Sequence, residues 1–346
     1  LCMLLIIGDH LTGQGGIADY TTPPSSFAFC LIGCGSRIAC SVFILIGGWF
    51  LCEQPYKTRR PLSLWLSLWL YTVPVTLLCR LAGLDVSFGA LRWAAFPAST
   101  RQLWFISDYL LLLLCVPLLN RVLRGLPRTA HRGLLAVLAV PMILYPTLFG
   151  ENGIVSDTAW MFLYEYLLAA YLRRYPENRL ARLLQNRAAA LALGLGLPLV
   201  NTAIRAMLET RGLTDGKAFQ YVAYYRTALG ALPNLLAALA LFYLFKGLDL
   251  GCVRWVNALA GTTLGVYILH QVPAFRGILW NGLLQAEAHH GSVGYTLLAI
   301  LAVFLGCAAV DALRTALVMR PLENTRLFKA LCEKGDALAA KITADD

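Results

Sequence analysis

The chain has 346 residues, of which 58% are hydrophobic and only 14% charged, and its mean hydropathy is +0.64. A soluble domain of that length needs far more charge to cover its surface, so composition excludes a fold surrounded by water and makes lipid the main solvent. The net charge of +10 does not indicate nucleic acid, because the basic residues form short clusters between apolar runs rather than one patch.

In chain order, the first apolar run, 1–11, opens without a methionine, a basic n-region or a small-residue cleavage site. It reads as a spanning helix that lacks its beginning. The later runs are 27–51, 62–81, 103–119, 133–148, 158–172, 188–208, 221–245, 256–279 and 295–318. Most approach the roughly 20 apolar residues that a spanning helix needs. The expected fold is therefore all-α, a polytopic membrane bundle of about ten transmembrane helices. One membrane domain covers 1–318, and a tail covers 319–346. Pro74, Pro117, Pro141, Pro198 and Pro233 lie inside runs, which neighbouring helices in a bundle can tolerate. In the tail, Leu322, Leu327, Phe328, Leu331 and Leu338 are spaced among mixed charges. That pattern fits either an amphipathic helix at the inner membrane interface or a frayed end.

Lys and Arg set the orientation. One set of alternate loops, with the tail, holds nineteen of them, including Arg59, Arg128, Arg173, Arg182 and Lys329. The other set holds seven even when helix ends are counted, and none between 12 and 26 or between 149 and 157. Both termini are expected in the cytoplasm.

Titratable groups inside such runs are costly and so mark candidate sites. They are His10, Arg37, Glu165, Arg226, His270 and Asp311. Arg37 would sit about 15 Å into its span at 1.5 Å per residue. Each also has a structural reading: Asp311 and Arg314 share a helix face and suit an ion pair, Glu165 and Arg226 can pair across helices, and His270 can be a packing histidine. Asp9 is adjacent to His10 and points elsewhere on a helix, so it is not an orienting partner. The ten cysteines are scattered, mostly in apolar runs, and predict neither disulfides nor a metal site. There is no Walker loop and no HExxH. GLGLPL near Gly194 reads as an apolar helix, since no strand precedes it.

Several segments resemble the bacterial membrane acyltransferases of the acyltransferase-3 type. They are RIACSVFILIGGWFL at 37–51, WFISDYLLLLLCVPLLN at 104–120, LLAAYLRRYP at 167–176, NLLAALALFYLFKGL at 234–248 and TTLGVYILHQVPAFRGILW at 262–280. The last is the most specific, with Tyr267, His270 and Arg276 in the order the family shows. The family's first-helix histidine corresponds to His10, and Gly47 stands where the family usually has serine.

The resemblance implies transfer of an acyl group, commonly acetyl, from acyl-CoA on the cytoplasmic side to a hydroxyl of a cell-envelope glycan or related acceptor. It places the chain in the bacterial plasma membrane, with the lipid bilayer as its surroundings and no metal. His10 would act on the hydroxyl proton, and Arg37 would steady developing negative charge. Arg173, Arg174, Tyr267, His270 and Arg276 would help hold substrate or donor. Buried charges also mark transport paths, so an exporter of a small solute or glycan is the competing expectation.

Overall fold

A computed structural model describes residues 1–151, 158–249 and 251–344, and among these it is helical without strands. The helices begin with α1 (Cys2–Gln14), α2 (Pro23–Ile32), α3 (Ser36–Leu51), α4 (Arg59–Leu81), α5 (Phe88–Ala95) and α6 (Trp104–Gly125). They continue with α7 (Arg128–Ala139), α8 (Tyr145–Phe149), α9 (Thr158–Arg174), α10 (Arg179–Gln185), α11 (Arg187–Leu191) and α12 (Leu197–Thr210). The remainder are α13 (Lys217–Thr227), α14 (Leu232–Lys246), α15 (Arg254–Gly261), α16 (Thr263–Gln271), α17 (Pro273–Gly277), α18 (Val293–Arg314), α19 (Arg320–Asn324) and α20 (Arg326–Thr343).

Seven helical stretches among the described residues are long and apolar enough to cross a membrane: Pro23–Leu51, Arg59–Leu81, Trp104–Gly125, Arg128–Phe149, Arg187–Thr210, Lys217–Lys246 and Val293–Asn324. Three expected spans fall outside that set. Helix α1 has 13 residues and α9 has 17, short of a full crossing at 1.5 Å per residue. The run 256–279 is cut by turns near Thr262 and Val272 into α15, α16 and α17. Residues 152–157 of the connection expected on the outer face lie outside the described residues.

The outer surface is unlike that of a soluble protein. Leu78, Val137, Leu298 and Leu317 are each more than 60% exposed, whereas Glu165, His131 and His270 are fully buried. Apolar side chains facing outward along long helices are what a hydrocarbon solvent selects.

Proline shapes several spans. It lacks the N–H for an intrahelical bond and its ring crowds the carbonyl four residues back. In three places a π turn comes just ahead of a proline at the start of the next α segment: Val140–Leu144 before Pro146, Ala192–Gly196 before Pro198, and Thr315–Met319 before Pro321. The wider turn relieves that crowding and lets the span continue. Pro74 and Pro117 lie within α4 and α6 themselves.

The chain divides into two units. One comprises Leu1–Cys52, Leu126–Gly251 and Gln285–Ile300; the other comprises Glu53–Gly125, Cys252–Leu284 and Leu301–Asp346. In the first unit α9 is the core helix, with almost every residue from Met161 to Leu172 buried. Gly48 of α3 meets Ala169 and the Tyr166 backbone of α9 at a distance that leaves no space for a methyl group. This close approach is what the missing side chain provides.

In the second unit, Tyr71 of α4 and Asp311 of α18 share a hydrogen bond of 2.8 Å. The sequence-expected Asp311–Arg314 pair is present at 2.8 Å. The tail forms α20, capped by Thr325, whose hydroxyl accepts from the Phe328 N–H at 3.2 Å. The helix is anchored where Asp336 accepts from the Thr58 N–H at 2.6 Å and where Arg121 donates to the Ile342 carbonyl at 2.7 Å. Phe328 and Ala339 are buried, whereas Leu327, Leu331, Leu338 and Ile342 form an exposed stripe.

Candidate active site

Within the first unit, two of the spanning stretches are discontinuous. The first, expected as one helix over 27–51, is interrupted at Gly33–Cys34–Gly35 between α2 and α3. Arg37 therefore lies in the first turn of α3 rather than deep inside a continuous helix. Hydropathy missed this because the interrupting residues are small and apolar. The second stretch breaks at Ala228–Ala231, between α13 and α14. Asn234 caps that break by donating its side-chain amide to the carbonyls of Tyr225 and Ala228, the latter at 2.8 Å. A Cβ at Gly230 would run into the Met142 carbonyl.

Arg226, in the last turn of α13, joins the two breaks. Its Nε donates to the Gly33 carbonyl at 3.2 Å, and its Nη2 meets Asp9 Oδ1 at 2.6 Å. The pairing of Arg226 with Glu165 read from the sequence is overturned, since Asp9 holds the guanidinium. Asp9, set aside in the sequence because it neighbours His10, proves to be the ionic partner in this region. A side chain at Gly33 would strike the Arg226 guanidinium and the Thr12 hydroxyl. Glycine is thus what lets the cation reach a backbone carbonyl.

Helix α1 packs onto the first break through Leu5 against Gly35, Gly8 against Ile32 and Thr12 against Gly33. His10 is half-buried on the same helix, between Asp9 and Thr12 in sequence. Arg37 is half-buried on α3, the helix that α1 contacts. The structure therefore puts both residues on packed elements beside the first break. Backbone groups released at a break inside a membrane span need polar partners, and the positive end of α3 adds a fixed dipole there. Such a place can bind an anion or a developing oxyanion.

The remaining predicted residues are distributed elsewhere. Arg173 and Arg174 end α9. The Arg173 guanidinium lies over the Trp49 ring at 5.0 Å from its centroid, and Lys246 lies over the same ring at 4.6 Å. Lys246 is another of the nineteen basic residues that set the expected orientation. Tyr267, His270 and Arg276 belong to the second unit. His270 is fully buried, with Nδ1 2.6 Å from the Val266 carbonyl and its ring edge-on to Tyr267 and Trp280 at 6.0 and 6.1 Å. These contacts fix the ring within the second unit. Tyr267 lies 5.8 Å from the Phe105 ring, and Arg276 is exposed on α17. His131, just ahead of the run 133–148, was missed. It is fully buried, bonds to the Leu167 carbonyl through Nε2 at 3.1 Å and meets Tyr171 edge-on at 5.1 Å.

The family model for the acyltransferase domain of the acyltransferase-3 type matches residues 1–312. The chain belongs to that family. It is accordingly a multi-pass membrane protein of an acyltransferase family, and the match spans both helix breaks, α9 and most of α18. No curated protein and no solved structure matches this acyltransferase-3 chain.

Proposed function

We propose that the protein is a membrane O-acyltransferase that moves an acyl group, in the first instance acetyl, from acyl-CoA to a hydroxyl of a cell-envelope glycan or related acceptor. The observation that carries this reading is the meeting of two helix breaks through Arg226, with Asp9 as its ionic partner and His10 and Arg37 on the packed helices α1 and α3 beside the first break, in a chain of this family. His10 removes the acceptor's proton as its oxygen attacks the thioester carbonyl. Arg37, at the positive start of α3, stabilises the charge that develops on the carbonyl oxygen. The Asp9–Arg226 pair fixes α1 against the first break and so positions His10.

Donor binding is assigned to the Arg173–Trp49–Lys246 group at the Arg174 end of α9. Two cations over one indole can hold phosphates while the ring offers an apolar platform. The excess of Lys and Arg in the loops on that side supports a cytoplasmic location for it, where coenzyme A is found.

The test is incubation of purified, full-length protein in detergent with labelled acetyl-CoA and envelope glycans. Label should appear on the acceptor with release of free coenzyme A. A protein that leaves acetyl-CoA intact yet moves a solute across sealed vesicles under a gradient would be a transporter instead.

A further inference from the structure

Glu165 has no role in the chemistry above, yet it is an ionisable group held deep in the first unit without a counter-ion. It lies roughly two turns from either end of α9. Its side chain is fully buried, and neither carboxyl oxygen has a hydrogen-bond partner. Ser41 on α3 is equally buried and close enough to the carboxyl for a hydrogen bond that the present geometry leaves unmade. Arg226, the cation the sequence offered as a partner, is committed to Asp9.

A carboxylate taken out of water with neither counter-ion nor donors is strongly unfavourable, and such a group takes up a proton instead. A neutral acid also has an O–H to give, and Ser41 Oγ is an acceptor within reach. Ser41 follows Arg37 by one helical turn on α3, so the pair lies on the face of α3 that carries Arg37. A buried acid retained only for structure would be expected to be fully hydrogen-bonded, and this one is not.

We propose that Glu165 is a proton-binding site in the interior of the helix bundle and serves as the proton store for acyl transfer. This rests on the acyltransferase reading. In the reaction a thioester C–S bond breaks and an ester C–O bond forms. The acceptor loses a hydroxyl proton and the coenzyme A sulfur gains one. Glu165 rests as the neutral acid, lends its proton toward the departing thiolate, and is refilled by the proton that His10 takes from the acceptor. Over one turnover the count is zero, and no other reactant is needed.

The test uses full-length protein in liposomes and has two arms. In the first, dicyclohexylcarbodiimide, which adds to protonated carboxyls in apolar surroundings, should form an adduct on Glu165 detectable by peptide mass spectrometry. A water-soluble carbodiimide should leave Glu165 unmodified. His10→Ala should label like the parent, so this arm reads the carboxyl independently of acyl transfer. In the second arm, Glu165→Gln keeps shape and neutrality but has no proton to give. Its kcat for acetyl transfer should fall by roughly a hundredfold, the lower scale for losing an acid–base group, with normal insertion and thermal stability. Glu165→Asp should recover part of that loss. Absence of the adduct on Glu165, or a parent-like kcat for Glu165→Gln across neutral and alkaline pH, overturns the proposal. Failure of the acyltransferase reading itself would be recognised separately, by a parent protein that transfers no acetyl group.

Discussion

Two carboxylate–guanidinium pairs, each at least partly buried, invite comparison. In the second unit, Asp311 Oδ1 accepts from Tyr71 at 2.8 Å and from both Nε and Nη2 of Arg314 at 3.1 and 2.8 Å. The Arg314 guanidinium lies over the Tyr71 ring at 4.9 Å, and Gly265 presses directly on the aspartate. Its two charges come from a single helix, three residues apart. In the first unit, Asp9 and Arg226 come from helices more than two hundred residues apart in sequence, and the arginine also takes a carbonyl released by a broken helix. One pair is local and closed, with its space filled. The other ties separate elements together around interrupted backbone. Burial of charge alone therefore does not mark function in a membrane protein; what matters is whether the charges satisfy one another within one element or organise several.

The sharpest way to break this contrast is at His10. His10→Ala should insert and express normally but lower acetyl transfer by at least about a hundredfold; transfer at the parent rate would remove the first-unit site. The second unit should respond in stability instead. Asp311→Asn leaves the partly buried Arg314 without its counter-ion, and Gly265→Ala places a methyl group on the aspartate. Each should destabilise by about 2 kcal/mol, read as a lower thermal midpoint, with transfer per folded molecule retained. Arg226→Gln falls between the two. Transfer should drop about tenfold, equivalent to ~1.4 kcal/mol in the barrier, and Asp9→Asn added to it should cost little more because the two form one unit. Additive losses would show that they act separately. The smallest effect is expected at the donor group: neutralising Arg173 and Lys246 together should weaken acyl-CoA binding several-fold, and the loss should shrink as salt rises.

The helical, lipid-facing character of the chain was legible in its sequence because hydropathy directly reports the solvent. The Asp311–Arg314 pair was legible because spacing along one helix fixes which side chains meet. Helix breaks were not. Gly33–Cys34–Gly35 and Ala228–Ala231 carry no charged or strongly polar side chain, so hydropathy averaged over a span passes over them. Arg37 was assigned a depth from a helix that does not continue. Asp9 was dismissed on its direction relative to His10, whereas its partner comes from α13, which no local spacing reveals. Likewise, Glu165 looked pairable in the sequence, and its isolation follows only from where Arg226 is held.

The π turns ahead of Pro146, Pro198 and Pro321 have a consequence for how such chains are compared. Each adds one residue to a helix that otherwise keeps its course, so side chains beyond it are rotated by about 100° relative to an uninterrupted α-helix. A relative that lacks the proline can dispense with the extra residue and still present the same faces. When two such chains are aligned, a one-residue gap within a spanning segment at 140–144, 192–196 or 315–319 would therefore record a preserved structure, whereas an alignment forced to be gapless would put lipid-facing residues opposite core ones.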